Sequence, residues 1–153
     1  MSAPDTPSPV TGPALAIIEL ASLARAAVTL DAIVKRAPVH LHTTERVSPG
    51  KFLIILVGGV AEVDEGFRAG IAAADDAVVA ELFLPQPHQS LRMGLESTFS
   101  KLAVESLGIF ETYNACSSVL ALDTALKSTG VDLVALHLCS GVGGKAYWTV
   151  SGE

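Results

Sequence analysis

A chain of 153 residues is long enough for one domain or two small ones. Half of its residues are hydrophobic, only 17% are charged, and the net charge is −6. No cationic cluster exceeds the pair Lys35–Arg36, which argues against nucleic-acid binding, because phosphate neutralisation needs several cations on one face.

The longest apolar stretch, Phe52 to Ala61, is far shorter than the roughly 18 residues of a membrane span. No membrane partner is expected, and the surplus apolar surface points to burial between subunits. The N-terminus has no basic region leading into an apolar run, so no secretion signal is expected. Cys116 and Cys139 lack a C-x-x-C spacing and read as reduced thiols of a cytosolic protein.

Residues 1–12 carry three prolines with Ser, Thr and Asp and no periodicity, which predicts a disordered arm. Ala14 to Leu20 has the length and apolarity of a strand. Ser22 is placed to cap a helix whose apolar positions, from Leu23 to Ala37, follow 3-and-4 spacing until Pro38 ends it. Val39, Leu41 and Thr43 then alternate with His40, His42 and Thr44, the pattern of a half-buried strand. Ser48-Pro49-Gly50 makes a turn, and Phe52 to Val57 reads as a central strand closed by Gly58-Gly59.

Val60, Val63, Phe67 and Ile71 mark a second helix, and Ala77 to Leu84 a fourth strand. Pro85 and Pro87 precede a short helix through Leu91 and Leu95. After a linker at about Glu96 to Lys101 the pattern restarts. A strand is expected over Val104–Phe110, then a helix capped by Asn114 and stopped at Gly130. A strand over Val131–Leu138, a turn over Ser140–Gly144 and a strand over Ala146–Val150 follow.

The restart is a repeat. Glu19, Asp31, Lys35, Val39 and Leu41 recur 92 positions later as Glu111, Asp123, Lys127, Val131 and Leu133. Lys51 and Gly58 recur as Lys145 and Gly152, 94 positions on, so the second turn holds two extra residues. A duplicated unit of roughly ninety residues is implied. The first unit spans 13–97 as β-α-β-β-α-β-α. The second spans 98–153 and stops where the first still has a helix, a strand and a closing helix to come. Such a unit is expected to leave one face and one edge of its sheet open unless the chain continues or another body covers them.

The turns before the two lysines, Ser48-Pro49-Gly50-Lys51 and Ser140-Gly141-Val142-Gly143-Gly144-Lys145, occupy equivalent places. Glycine-rich turns let backbone amides face a ligand or a passage. A phosphate-binding loop fails on spacing: Cys139 stands where the first glycine is required, and Ala146 follows Lys145 in place of Ser or Thr.

These residues carry a resemblance. Ile18-Glu19-Leu20, Asp31-Ala32-Ile33-Val34-Lys35, Ser48-Pro49-Gly50-Lys51-Phe52, Pro85-Gln86-Pro87-His88, Glu111-Thr112 and Gly141 to Lys145 together resemble the bacterial microcompartment shell proteins, in their tandem-domain, trimer-forming branch. The likeness covers about residues 14–153 and rests on order and spacing. It implies an α+β, ferredoxin-like fold in two tandem β-α-β-β-α-β domains, the second truncated at its C-terminus. It also implies a homotrimer that imitates a hexagon, packs with other shell proteins in a bacterial cytoplasmic microcompartment, and is no enzyme. Ser48, Pro49, Gly50, Ser140, Gly141, Val142 and Gly143 would then line a central pore for small polar metabolites.

Departures from the family pattern carry their own expectations. Cluster-binding relatives have cysteine before Pro-Gly-Lys; here Ser48 stands there, and a hydroxyl is a poor iron ligand beside a thiolate. No iron–sulfur cluster or other cofactor is expected. Cys139, one residue before the second loop, is read as a buried structural thiol, with approach to the axis as the alternative. The family's edge arginine is replaced by Gln86, beside His88, which weakens that edge. Lys35 and Lys127 match the edge lysine, whose ammonium would donate to carbonyls of an adjacent tile.

Other candidate chemistry is thin. His40 and His42 lie two apart on one strand, which puts both rings on one side, but no third metal ligand accompanies them. Glu19 and Glu111 recur at equivalent places, which suggests contacts at the domain interface rather than an acid pair. Tyr147 and Trp148 read as packing residues, and no G-x-S-x-G supports a serine hydrolase. A second class stays open: a trimeric ferredoxin-like regulatory protein that binds a small molecule between subunits.

Overall fold

The computed structural model describes residues 12–97 and 106–152. The arm expected over residues 1–12 thus falls outside the described residues except for Gly12, as do Val104 and most of the linker. Among the described residues the first unit runs β1 (Ala14–Leu20), α1 (Leu23–Arg36), β2 (His40–Val47), β3 (Lys51–Gly58), α2 (Val60–Ala74), β4 (Val78–Leu84) and α3 (Gln89–Leu95). A single 3₁₀ turn, Asp75–Ala77, joins α2 to β4. The second unit runs β5 (Ser106–Thr112), α4 (Ala115–Ser128), β6 (Asp132–Leu138) and β7 (Ala146–Gly152).

The first sheet has the strand order β2-β3-β1-β4, and its neighbouring strands are antiparallel. Every residue of β1 is buried, which is why its sequence is a continuous apolar run broken only by Glu19. On one face Ala16, Ile18 and Leu20 pack with Ile54 and Leu56 beneath α1 and α2. On the other, Leu15, Ile17, Leu53 and Ile55 join a second core with α4, Leu133, Leu136 and Trp148. Burying each such Leu or Ile contributes on the order of 1.5–3 kcal/mol before the entropy of ordering is counted. The two units therefore share one core and are not beads on a string.

The repeat extends to the helix caps and a strand irregularity. Ser22 accepts the N–H of Arg25 and caps α1; Asn114, its counterpart, accepts the N–H of Ser117 and caps α4. Ala37 closes α1 on the Ile33 carbonyl, and Thr129 closes α4 on that of Ala125. The β2–β3 pairing slips between Leu41 and Thr43, and the β6–β7 pairing slips at the matching Leu133–Ala135.

The second sheet has the order β5-β7-β6. Among the described residues nothing pairs with the outer edge of β5, the place that β4 takes beside β1. Leu107, Ile109 and Phe110 are exposed. Phe110 still stacks on Trp148, with ring centroids 4.1 Å apart. The strand expected over Val104–Phe110 runs on to Thr112, because β5 pairs with β7 along its whole length.

Candidate functional site

The two turns singled out in the sequence meet at the junction of the units. Ser48, Pro49 and Gly50 are exposed between β2 and β3; Ser140, Gly141 and Gly143 are exposed between β6 and β7, with Val142 half-buried. The Ser140 hydroxyl lies 3.3 Å from the Glu45 carboxylate, near the end of β2. Gly144 is buried against the first turn: a Cβ there would stand 2.6 Å from the Ser48 carbonyl oxygen. Its φ of +78° also suits glycine alone.

The lysine after each turn reaches back to the repeated glutamate. Lys145 donates to Glu111 at 2.6 Å on the surface, which raises the lysine pKa. Lys51 lies 3.7 Å from Glu19, whose side chain is almost wholly buried. That carboxylate also accepts the Cys116 N–H at 3.0 Å, in the first turn of α4. The negative charge thus faces unsatisfied amides at the positive end of a helix. Glu19 is an interface residue, as its repetition suggested, whereas Glu111 is open to solvent.

Cys139 is buried, and its thiol donates to the Gly144 carbonyl at 3.5 Å. Burial, with Glu19 adding to it, pushes that thiol up to about 11. Cys116 is raised further, again chiefly by burial. Ser48 stands in the first turn, and both cysteines are buried as free thiols. Among the described residues no three His, Cys, Asp or Glu side chains are grouped to hold a metal ion.

The four edge candidates separate into two groups. Lys127 donates to the Gln86 carbonyl at 2.7 Å and to Asp123 at 2.6 Å. Asp123, itself buried, accepts the His88 N–H at 2.6 Å. Lys127, Gln86 and His88 are therefore gathered by α4 at the boundary of the units, and the carbonyl that Lys127 meets belongs to its own chain. Lys35 stands apart in an exposed pair with Asp31 at 2.7 Å. The buried role of Asp123 was missed from sequence. Asp31 and Asp123 recur as a pair, but residue type alone does not tell which one is covered.

The two histidines do not share a side as alternation predicted. The slip between Leu41 and Thr43 breaks the period, and His40 lines a groove with Gly58 and Glu62. His42 lines a cavity of about 190 Å³ between the units, with Glu45, Ser97 and His137. Burial lowers its pKa from the ordinary 6.5, opposed by a hydrogen bond at the Leu95 backbone. No helix among the described residues is long and apolar enough to cross a membrane.

Comparison with known proteins agrees with this architecture. The BMC domain profile matches residues 14–87 and again 106–153. The bacterial microcompartment shell protein PduT of Citrobacter freundii is 36% identical over 140 residues, covering 92% of this chain and 76% of that protein. The carboxysome assembly protein CcmO of Synechococcus elongatus is 30% identical over 145 residues, covering 87% of this chain and 52% of the relative. A crystal structure of a microcompartment protein from Desulfitobacterium hafniense superimposes with a TM-score of 0.81 at 32% identity, covering 94% of this chain and 79% of that one. The chain belongs to the bacterial microcompartment shell proteins and carries two BMC domains in tandem.

Proposed function

We propose that the protein is a non-catalytic tile: three chains, hence six units, form a pseudohexameric ring that packs with other shell proteins. The meeting of the Ser48–Lys51 and Ser140–Lys145 turns at one junction carries this reading, because three chains would bring six such turns around one opening. Ser48 and the amides of Gly141 and Gly143 are exposed there. A rim of hydroxyls and amides favours small polar or anionic metabolites and slows apolar ones. No cluster occupies this opening in the proposal, and Gln86, His88, Lys35 and Lys127 lie along the tile edges.

Shells assembled with Ser48→Trp protein test the pore. Passage of a small polar substrate should fall while assembly persists; unchanged flux removes the pore assignment. The cavity beside His42 is the observation that favours a small-molecule-binding trimer instead. Such a protein stays as separate trimers when concentrated, whereas a tile forms sheets visible by electron microscopy.

A further inference from the structure

We infer that the cavity between the two units binds a small organic ammonium ion, its charge on the Glu45 carboxylate and its short apolar chain along Leu53, Ile55 and Leu136. The site goes beyond the tile and does not depend on it, because the cavity is built within one chain.

β2 supplies His42, Thr43 and Glu45 to the walls, β6 supplies His137, and Ser97 follows the end of α3. The space measures about 190 Å³. At roughly 30 Å³ for each water it takes about six waters, or one molecule of that bulk. That is below the size of a pocket for a large ligand.

The lining sets the sign of the occupant. Among the described residues no lysine or arginine lines the cavity. Glu45 accepts a hydrogen bond from Ser140, and among the described residues no cation pairs with it. Glu96 adds a second carboxylate to the field at His42. Burial keeps His42 neutral at pH 7, so its ring does not repel a cation. An ammonium carries three N–H donors, and Glu45, Thr43 and Ser97 offer three acceptors. A metal ion fits less well, since no three His, Cys, Asp or Glu side chains are grouped to hold one among the described residues.

The repeat shows that packing does not require this polarity. The counterparts of His42 and Thr43 on β6 are Val134 and Ala135, at the same slip of the strand. β6 therefore makes the same irregular pairing with apolar side chains. The Nδ1 nitrogen of His42 is buried without a hydrogen-bond partner, a cost that valine avoids. Polar groups thus stand where the units meet and where the fold can do without them.

Calorimetric titration of the full chain with n-propylammonium, n-propanol and propionate compares one bulk in three charge states. Propylammonium should bind with a dissociation constant of about 1 mM or below. Propanol should bind at least about tenfold more weakly, and propionate should give no binding heat up to about 10 mM. Proton NMR of the four histidines locates the site: the His42 and His137 ring signals should move, and those of His40 and His88 should not. Glu45→Gln, on an exposed side chain, should weaken propylammonium binding about tenfold or more. Thr43→Ala copies the residue that β6 already carries and should weaken it about fivefold.

Equal affinity for propanol, preference for propionate, or no propylammonium binding up to about 10 mM would overturn the site. Binding that leaves the His42 and His137 signals in place would overturn it as well. None of these readouts depends on sheet formation, so the site and the tile fail separately.

Discussion

The carboxylate of Glu19 accepts the backbone N–H of Cys116 at 3.0 Å, across a sequence separation of 97 residues. It ties the central strand of the first unit to the first turn of the second unit's helix. Its side chain is only 2% exposed, so the charge depends on this amide and on Lys51 for compensation.

Glu19→Ala should therefore destabilise the chain by about 2–4 kcal/mol, because it leaves a buried amide and a partly buried lysine without their acceptor. Glu19→Gln, which keeps an acceptor, should cost roughly half as much. Denaturant melts compare the two, and equal stability of Glu19→Ala and the parent would show that the bond does not hold the units together.

Asp123 and Asp31 are the same residue of the repeat in opposite surroundings. Asp123 is 4% exposed and holds both His88 and Lys127. Asp123→Ala should cost about 2–3 kcal/mol and free the segment before α3. Asp31→Ala removes an exposed pair and should stay within about 0.5 kcal/mol of the parent. Urea midpoints read this contrast, and hydrogen exchange at His88 reports the freed segment.

His42 gives the stability a pH dependence. Burial holds its folded pKa below the unfolded value of 6.5, so the unfolded chain binds the proton more readily. Stability that is complete above pH 6.5 should decline as the pH falls through that value and towards the folded pKa. His42→Gln should flatten this part of the profile, measured as ΔG against pH. An unaltered slope would place the effect on other groups.

Gly144 and Gly141 separate backbone strain from steric contact. Both have positive φ, but a Cβ at 144 meets the Ser48 carbonyl while one at 141 meets nothing within 4 Å. Gly141→Ala should cost about 1 kcal/mol and keep the turns together. Gly144→Ala should cost at least about 2 kcal/mol, because strain and contact act together there. Thermal melts order the two variants, and equal costs would mean that the turns do not press on each other.

The local parts of this architecture were legible because local chemistry determines them. Ser22 and Asn114 announce the helix starts, Pro38 the first stop, and the 92-residue offset the duplication. The slip at Leu41–Thr43 was not legible, since no glycine or proline marks it, and it moved His42 to a different cavity from His40. The fates of Asp31 and Asp123, and of Glu111 and Glu19, were also hidden. Each pair has one chemistry, and long-range packing alone decides which member is covered. The contact of the two turns has the same origin, since it joins residues far apart in sequence.

The most direct test of the tile is the mass and outline of the purified protein. Analytical ultracentrifugation with electron microscopy should give a particle of three times the 15.8 kDa chain, six-lobed in projection and able to pack edge to edge. A particle of one or two chains, or a three-chain particle without the sixfold outline, would contradict it.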